Sequence, residues 1–292
     1  DAKECPLDAE AEDTLCVIHS RRDAKQRGEL FPALDQLDRL GVIRVYNAYL
    51  RDADLSGVNL TKKNLRDSEL SGVNFNDARF DRVGFDGSCL NDVAFEGAIL
   101  QRCDLRGITG LKGCRWYETI LDGVRLHAFH KELLDSVYLE GEQPEREKAQ
   151  YVFRAFKEAY KREGDQDAAG LFYEREMDMK RQISSGADRL WYSSLWLLCG
   201  YGERPIRAVA VFMFSIFTYA GIYTRMTLHG PDGPITGDFM EALYFSTITF
   251  TTLGYGDIRP EGIAKLIAGS EALVGLFTVS LFIFVFCRRM VR

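Results

Sequence analysis

The chain has 292 residues, 46% of them hydrophobic, with 37 Lys+Arg against 43 Asp+Glu for a formal net charge of −6. That length accommodates two average domains, and the acidic balance excludes a dedicated nucleic-acid binder, which would present a basic surface. Charge is abundant over residues 1–190, but 206–223 carries only Arg207, and 263–287 only Lys265 and Glu271; each apolar stretch is close to the roughly 20 residues that cross a bilayer core as a helix, which excludes a wholly soluble protein.

Residues 1–46 are helix-like over 26–40 and form an N-terminal cap region. No apolar leader precedes this charged part, and the opening residue, Asp1, points to a trimmed N-terminus. Cys5, Cys16 and His19, or His127 and His130, are zinc-ligand types, but neither set offers four ligands at finger-like spacing. The seven cysteines are odd in number and lack paired spacings, so free thiols in a reducing compartment are expected.

A period of five governs 47–127. Large apolar residues recur without a miss at Leu50, Leu55, Leu60, Leu65, Leu70, Phe75, Phe80, Phe85, Leu90, Phe95, Leu100 and Leu105, then one residue late at Leu111, Trp116, Leu121 and Leu126. Two positions before each stands a small residue, as at Ala53, Val58 and Ser68; Lys63 breaks the pattern. Five matches neither the helical nor the strand period, so the chain must turn a corner at each repeat. Here it resembles the pentapeptide-repeat family, whose A-(D/N)-L-x-x unit stands as Ala53-Asp54-Leu55-Ser56-Gly57. The resemblance implies a right-handed quadrilateral β-helix of about four coils, a rod about 20 Å long at ordinary strand spacing. Some members mimic DNA with an acidic surface. Over 50–126 twelve Asp/Glu oppose eleven Lys/Arg, a net of −1, so a scaffold or docking surface for a cytoplasmic partner or ligand is expected, with no nucleic acid.

The linker 128–187 reads as a helical hairpin. Ala149, Val152, Phe153, Phe156 and Tyr160 make one apolar face, Gly164-Asp165 breaks the helix, and Ala169, Phe172, Met179 and Ile183 mark its partner. Over 188–203, Asp188 caps a short interfacial helix whose Trp191, Tyr192, Trp196 and Tyr201 suit the headgroup region. Gly200-Tyr201-Gly202 reads as a flexible hinge.

The remaining 204–292 holds a span at 206–223, a re-entrant helix at 238–251 and a span at 263–287. Asp238 with Glu241 three residues on fits a capping box. The apolar run behind it is too short to cross a bilayer, and a re-entrant backbone survives there only when buried or lining water. Then comes Thr251-Thr252-Leu253-Gly254-Tyr255-Gly256-Asp257. Alternate glycines permit backbone angles closed to other residues, so that successive carbonyls can turn to one side.

At these residues the chain resembles the two-span potassium-channel pore family, with its TVGYG-type filter; Leu253 stands where Val is commonest. The resemblance implies a filter over Thr252, Leu253, Gly254, Tyr255 and Gly256. Carbonyls of the first four and the Thr252 hydroxyl would bind K⁺, which is the permeant ion and not a cofactor. One chain supplies one column of oxygens, so a homotetramer in a lipid membrane is implied. Thr251, Asp257, Tyr244 and Glu271 are expected to support the filter, with Tyr244 donating to Asp257 and Glu271 hydrogen-bonded behind the pore helix. Ile248 stands where some relatives carry a Glu. Gly275, Val279, Ile283, Phe286 and Cys287 are hinge and gate candidates; for Gly275, close helix packing is the equal alternative.

The expected fold is thus a multi-domain membrane protein: a pentapeptide β-helix, a helical hairpin and an all-α two-span tetrameric pore. Arg204, Arg207, Arg288, Arg289 and Arg292 flank the outer ends of the spans, which places both termini in the cytoplasm of a bacterial inner membrane. The expected function is potassium-selective conduction with a regulatory or docking repeat module. A non-selective cation channel and a membrane-anchored repeat adaptor are the alternatives. No Arg-every-third-residue voltage sensor, nucleotide-binding pattern or catalytic constellation is present, so an enzyme is not expected.

Overall fold

The computed structural model describes residues 18–19, 21, 23–39, 45–126, 143–231 and 233–290. Cys5, Cys16, His127 and His130 lie outside these. The chain divides into two compact units, Asp1–Ser185 and Gly186–Arg292.

In the first unit, α1 (Arg27–Arg39) leads into a coil of parallel ladders. Strands β1 (Asn59–Thr61), β2 (Arg79–Asp81), β3 (Ile99–Gln101) and β4 (Ile120–Asp122) pair in parallel, with Leu60 beside Phe80, Phe80 beside Leu100, and Leu100 beside Leu121. Further parallel bridges join Tyr49 to Glu69, Asp54 to Asn74 and Asn64 to Gly84. The chain therefore regains each ladder after twenty residues, or twenty-one once past Gly107, where the apolar register slips.

Every fifth-position apolar side chain from Leu50 to Leu126 is buried. The corner falls two residues later, where the backbone turns left-handed: Asp52 (φ 55°), Gly57 (φ 69°), Lys62 (φ 54°), Asp67 (φ 56°) and Gly72 (φ 72°) continue in that order. Glycine enters that region freely, and Asp or Asn at small cost. Lys63 does not interrupt the coil; it is itself buried, at 4% exposure. Ser88 Oγ donates to the Leu65 carbonyl (2.5 Å) and accepts from Ser68 N–H (3.1 Å), so these inward hydroxyls are satisfied by backbone.

Aromatic rings form a column along the coil. Phe75 stacks on Phe95 at 5.7 Å, Phe95 on Trp116 at 4.5 Å, and Trp116 meets Phe156 edge-on at 5.2 Å. Phe156 belongs to the hairpin of α2 (Gln143–Glu163) and α3 (Gln166–Ile183), so the core continues from coil into helices. At that open edge the Leu126 N–H donates to Glu163 (2.8 Å) and Arg162 pairs with Asp122 (3.0 Å), covering an end that would otherwise template strand addition. Gly164 (φ 88°) turns the hairpin, and the Asp165 carboxylate accepts from Ala168 N–H (3.0 Å) to cap α3. At the opposite end the buried Lys25 ammonium donates to the carbonyls of Ile18 and Tyr49.

In the second unit, α4 (Gly186–Cys199) starts two residues earlier than expected. Asp188 lies inside its first turn and not at the cap, where its charge still complements the helix dipole. Gly200–Gly202 forms a buried 3₁₀ turn with Tyr201 at φ 59°. It is a fastened corner and not a flexible hinge: Arg288, at the far end of the last helix, donates to the Tyr201 carbonyl (3.4 Å) and pairs with Glu203 (3.4 Å). Helix α5 (Pro205–Tyr223) begins on a proline, suited to a first turn that needs no N–H partner. A small antiparallel sheet of β5 (Leu228–Gly230), β6 (Gly233–Ile235) and β7 (Arg259–Pro260), in the order β6-β5-β7, brackets α6 (Phe239–Phe250). The last helix, α7, runs over Ile263–Met290. By length and composition α5 and α7 are able to cross a membrane.

Candidate functional site

The site is built from the short helix outward. The Asp238 carboxylate accepts from the N–H groups of Met240 (2.8 Å) and Glu241 (3.3 Å), starting α6 one residue later. Ala242, Phe245 and Ile248 face inward with Tyr223, Leu228 and Ile258, a small core behind the loop that follows the helix. The Phe245 ring meets Tyr223 edge-on at 4.9 Å.

Helix α6 stops because the backbone turns left-handed. Thr251 caps it, its hydroxyl donating to the Thr247 carbonyl (2.6 Å). Beyond it Thr252 (φ 60°), Gly254 (φ 51°) and Gly256 (φ 80°) are left-handed at every second position. Thr252 N–H donates to the Thr249 carbonyl (3.0 Å) and Gly254 N–H to that of Ile248 (3.2 Å), which folds the loop back onto the helix end. Within one chain the large side chains of Leu253 and Tyr255 are 61% and 71% exposed. Asp257 accepts from the Tyr244 hydroxyl at 2.7 Å, and that hydrogen bond holds its carboxyl below the usual range.

Glu271, on α7, is fully buried and accepts from the Tyr223 hydroxyl at 2.7 Å; its other oxygen lies 2.5 Å from Ser246 Oγ on α6. It thus sits behind the short helix. Gly275 rests against the end of α6, so closely that a Cβ there would strike the Phe250 carbonyl. Val279 is half-buried, whereas Ile283, Phe286 and Cys287 are exposed on the C-terminal half of α7, with Phe286 stacked on Phe282 at 5.8 Å. Nothing in one chain selects among them. Among the described residues no group of three or more His, Cys, Asp or Glu is placed to hold a metal, and His19 lies 3.0 Å from the Tyr46 carbonyl.

Three contacts escaped sequence reasoning. Ser246 and Tyr223 as partners of Glu271 are separated from it by 25 and 48 residues. Arg288 meets Tyr201 from 87 residues away. Ser246 was not singled out by the sequence, because Tyr244, Thr247 and Thr249 carry hydroxyls beside it on the same helix.

Residues 208–292 match the family model described as ion channel, and residues 48–87 match that of pentapeptide repeats in eight copies. The chain thus joins a segment similar to ion channels to a run similar to pentapeptide repeats. Two pore potassium channel b of Oryza sativa subsp. japonica is 31% identical over 88 residues, 30% of this chain and 25% of that protein. Protein LctB of Geobacillus stearothermophilus is 31% identical over 88 residues, 30% of this chain and 65% of that protein. The chain therefore spans a quarter of one and just under two thirds of the other. Among solved structures, the pentapeptide repeat protein Rfr23 from Cyanothece 51142 is 30% identical, covering 28% of this chain and 55% of its own, at a TM-score of 0.27.

Proposed function

We propose that this chain is one subunit of a homotetrameric, potassium-selective channel in a bacterial inner membrane. The observation that carries the reading is the loop after α6. Left-handed backbone at Thr252, Gly254 and Gly256, between two helices able to span a bilayer, is the conformation that lets consecutive carbonyls line one side. Those of Thr252, Leu253, Gly254 and Tyr255 would replace the hydration shell of K⁺ when four copies surround an axis. The exposure of the loop at Leu253 and Tyr255 in the single chain supports that assembly, because non-helical backbone at membrane depth is tolerated only where it is buried in protein or lines water. The name of the plant relative points to the same ion. The repeat segment is read as a right-handed quadrilateral β-helix on the cytoplasmic side, with both termini there, regulating the pore or docking a partner.

Reconstitution of the full chain in liposomes tests this. K⁺ flux should exceed Na⁺ flux by about a hundredfold, the scale of a preference near 3 kcal/mol, and Gly254→Asp should abolish it. Equal fluxes of the two ions would establish a non-selective cation pore. Absence of any flux together with retention of a cytoplasmic partner would establish the adaptor reading.

A further inference from the structure

Glu271 is the one carboxyl buried between α5, α6 and α7 among the described residues, and its hydrogen-bond partners bear on its state. Two contacts reach it, and a third extends from one of its partners. The Tyr223 hydroxyl lies 2.7 Å from Oε2, Ser246 Oγ lies 2.5 Å from Oε1, and Ser246 Oγ also lies 2.9 Å from the Ile216 carbonyl oxygen. A serine or tyrosine hydroxyl carries one proton, a carbonyl oxygen none, and an ionised carboxylate none. With Glu271 ionised, two protons must serve three contacts, and Ser246 faces two acceptors with one hydrogen. With Glu271 protonated, the count closes.

We propose that Glu271 is a neutral acid and a positioning residue for the pore helix. Tyr223 O–H donates to Oε2, Glu271 Oε1–H donates to Ser246 Oγ, and Ser246 O–H donates to the Ile216 carbonyl. This directed chain leaves α5 at Tyr223, passes through α7 and α6, and returns to α5 at Ile216. It clasps the short helix to both long ones from behind the loop at 252–256. No cation pairs with Glu271 among the described residues, and an unpaired charge at that depth is costly. The titratable groups facing it are the Tyr223 phenol and, one turn along α5, the Tyr219 phenol, whose hydroxyl lies 3.3 Å from that of Ser270; α6 contributes only Ser246. Phenols are uncharged near neutral pH. When the carboxyl is ionised, the single Ser246 hydrogen turns to Oε1 and the link to the Ile216 carbonyl is given up, so the clasp is closed while the carboxyl holds its proton and opens at Ile216 as pH rises through its titration.

The structural claim stands without conduction; the functional consequence rests on the pore reading above. Two measurements on the full chain in lipid separate them. Infrared difference spectra between wild type and Glu271→Gln at neutral pH should show the carbonyl stretch of a protonated acid; its absence overturns the proposal whether or not ions pass. In flux assays Glu271→Gln, whose amide donates to Ser246 and accepts from Tyr223, should stay within about twofold of wild type, whereas Ser246→Ala should lower flux about tenfold. Wild-type flux should decline toward alkaline pH and that of Glu271→Gln should not. The same pH profile in both overturns the positioning role, and a wild type that shows the acid band but carries no K⁺ overturns the pore reading alone.

Discussion

At the scale of single residues, burial separates cysteines that the sequence leaves equivalent. Cys103 and Cys114 point into the coil, with thiol hydrogen-bond contacts to the carbonyls of Phe80 (3.7 Å) and Leu90 (2.8 Å). Burial pushes their thiols up to about 11 and about 12. Because the thiolate is the reactive form, neither should react with maleimide at neutral pH. A thiol titration is raised only while the coil is folded, so unfolding restores an ordinary value and ordinary reactivity. Mass spectrometry after brief labelling should find both sites unmodified in native protein and both modified in guanidinium; labelling of Cys114 in the native state would show that the last coil opens. The same scale explains the corners. Gly87 (φ 74°) lies over Asp67 of the preceding coil, so closely that a Cβ would strike its carboxylate.

At the scale of elements, α7 holds two glycines whose surroundings differ. Gly275 lies against the Phe250 backbone at the end of α6, whereas a Cβ added at Gly269 would meet nothing within 4 Å. Alanine in a helix interior is worth about 0.5–1 kcal/mol over glycine, while forcing an extra carbon into a packed contact costs about 1–3 kcal/mol. Gly269→Ala should therefore leave thermal stability equal or slightly raised, and Gly275→Ala should lower it by about 1–2 kcal/mol net of these effects. Thermal unfolding in detergent checks both; equal effects would remove the close-packing role from Gly275.

These contacts also show which features of the chain could be read in advance. The five-residue period was legible because every repeat has the same inward position, so each apolar residue repeats the evidence. The slip after Gly107 was legible for the same reason. The contact of Tyr244 with Asp257, 13 residues on, came from the resemblance to the channel-pore family and not from any periodicity of this chain. The Gly200–Gly202 corner was misread because glycine describes the freedom of a segment and not what fastens it, here Arg288 from the far end of α7. Asp188 was misplaced because two residues of cap type, Ser185 and Asp188, stand three apart, and α4 starts behind the earlier one, at Gly186. The clasp at Glu271 needed three helices in register, which no local pattern encodes.

At the scale of the whole molecule, the chain joins two units with opposite demands on their surroundings. Among the described residues up to Ser185, most apolar positions are buried within a coil and a hairpin. From Gly186 onward α5 and α7 leave most of their length unburied by the chain itself, with Ile206, Phe214, Leu266 and Leu273 at least 70% exposed, as lipid or neighbouring subunits require. Every residue proposed to contact the ion, and every member of the Glu271 clasp, lies in the second unit, which makes selectivity and regulation separable. A chain beginning at Gly186 should still prefer K⁺ over Na⁺ to the same degree as the full chain, because the loop at 252–256 and the core behind it are retained. Its open probability in single-channel recordings should differ by at least about threefold, the effect of less than 1 kcal/mol on a two-state equilibrium, if the repeat unit biases the gate. Unchanged open probability would assign that unit to docking or localisation. Altered selectivity would mean that the first unit helps to shape the loop, against the division of roles argued from the structure.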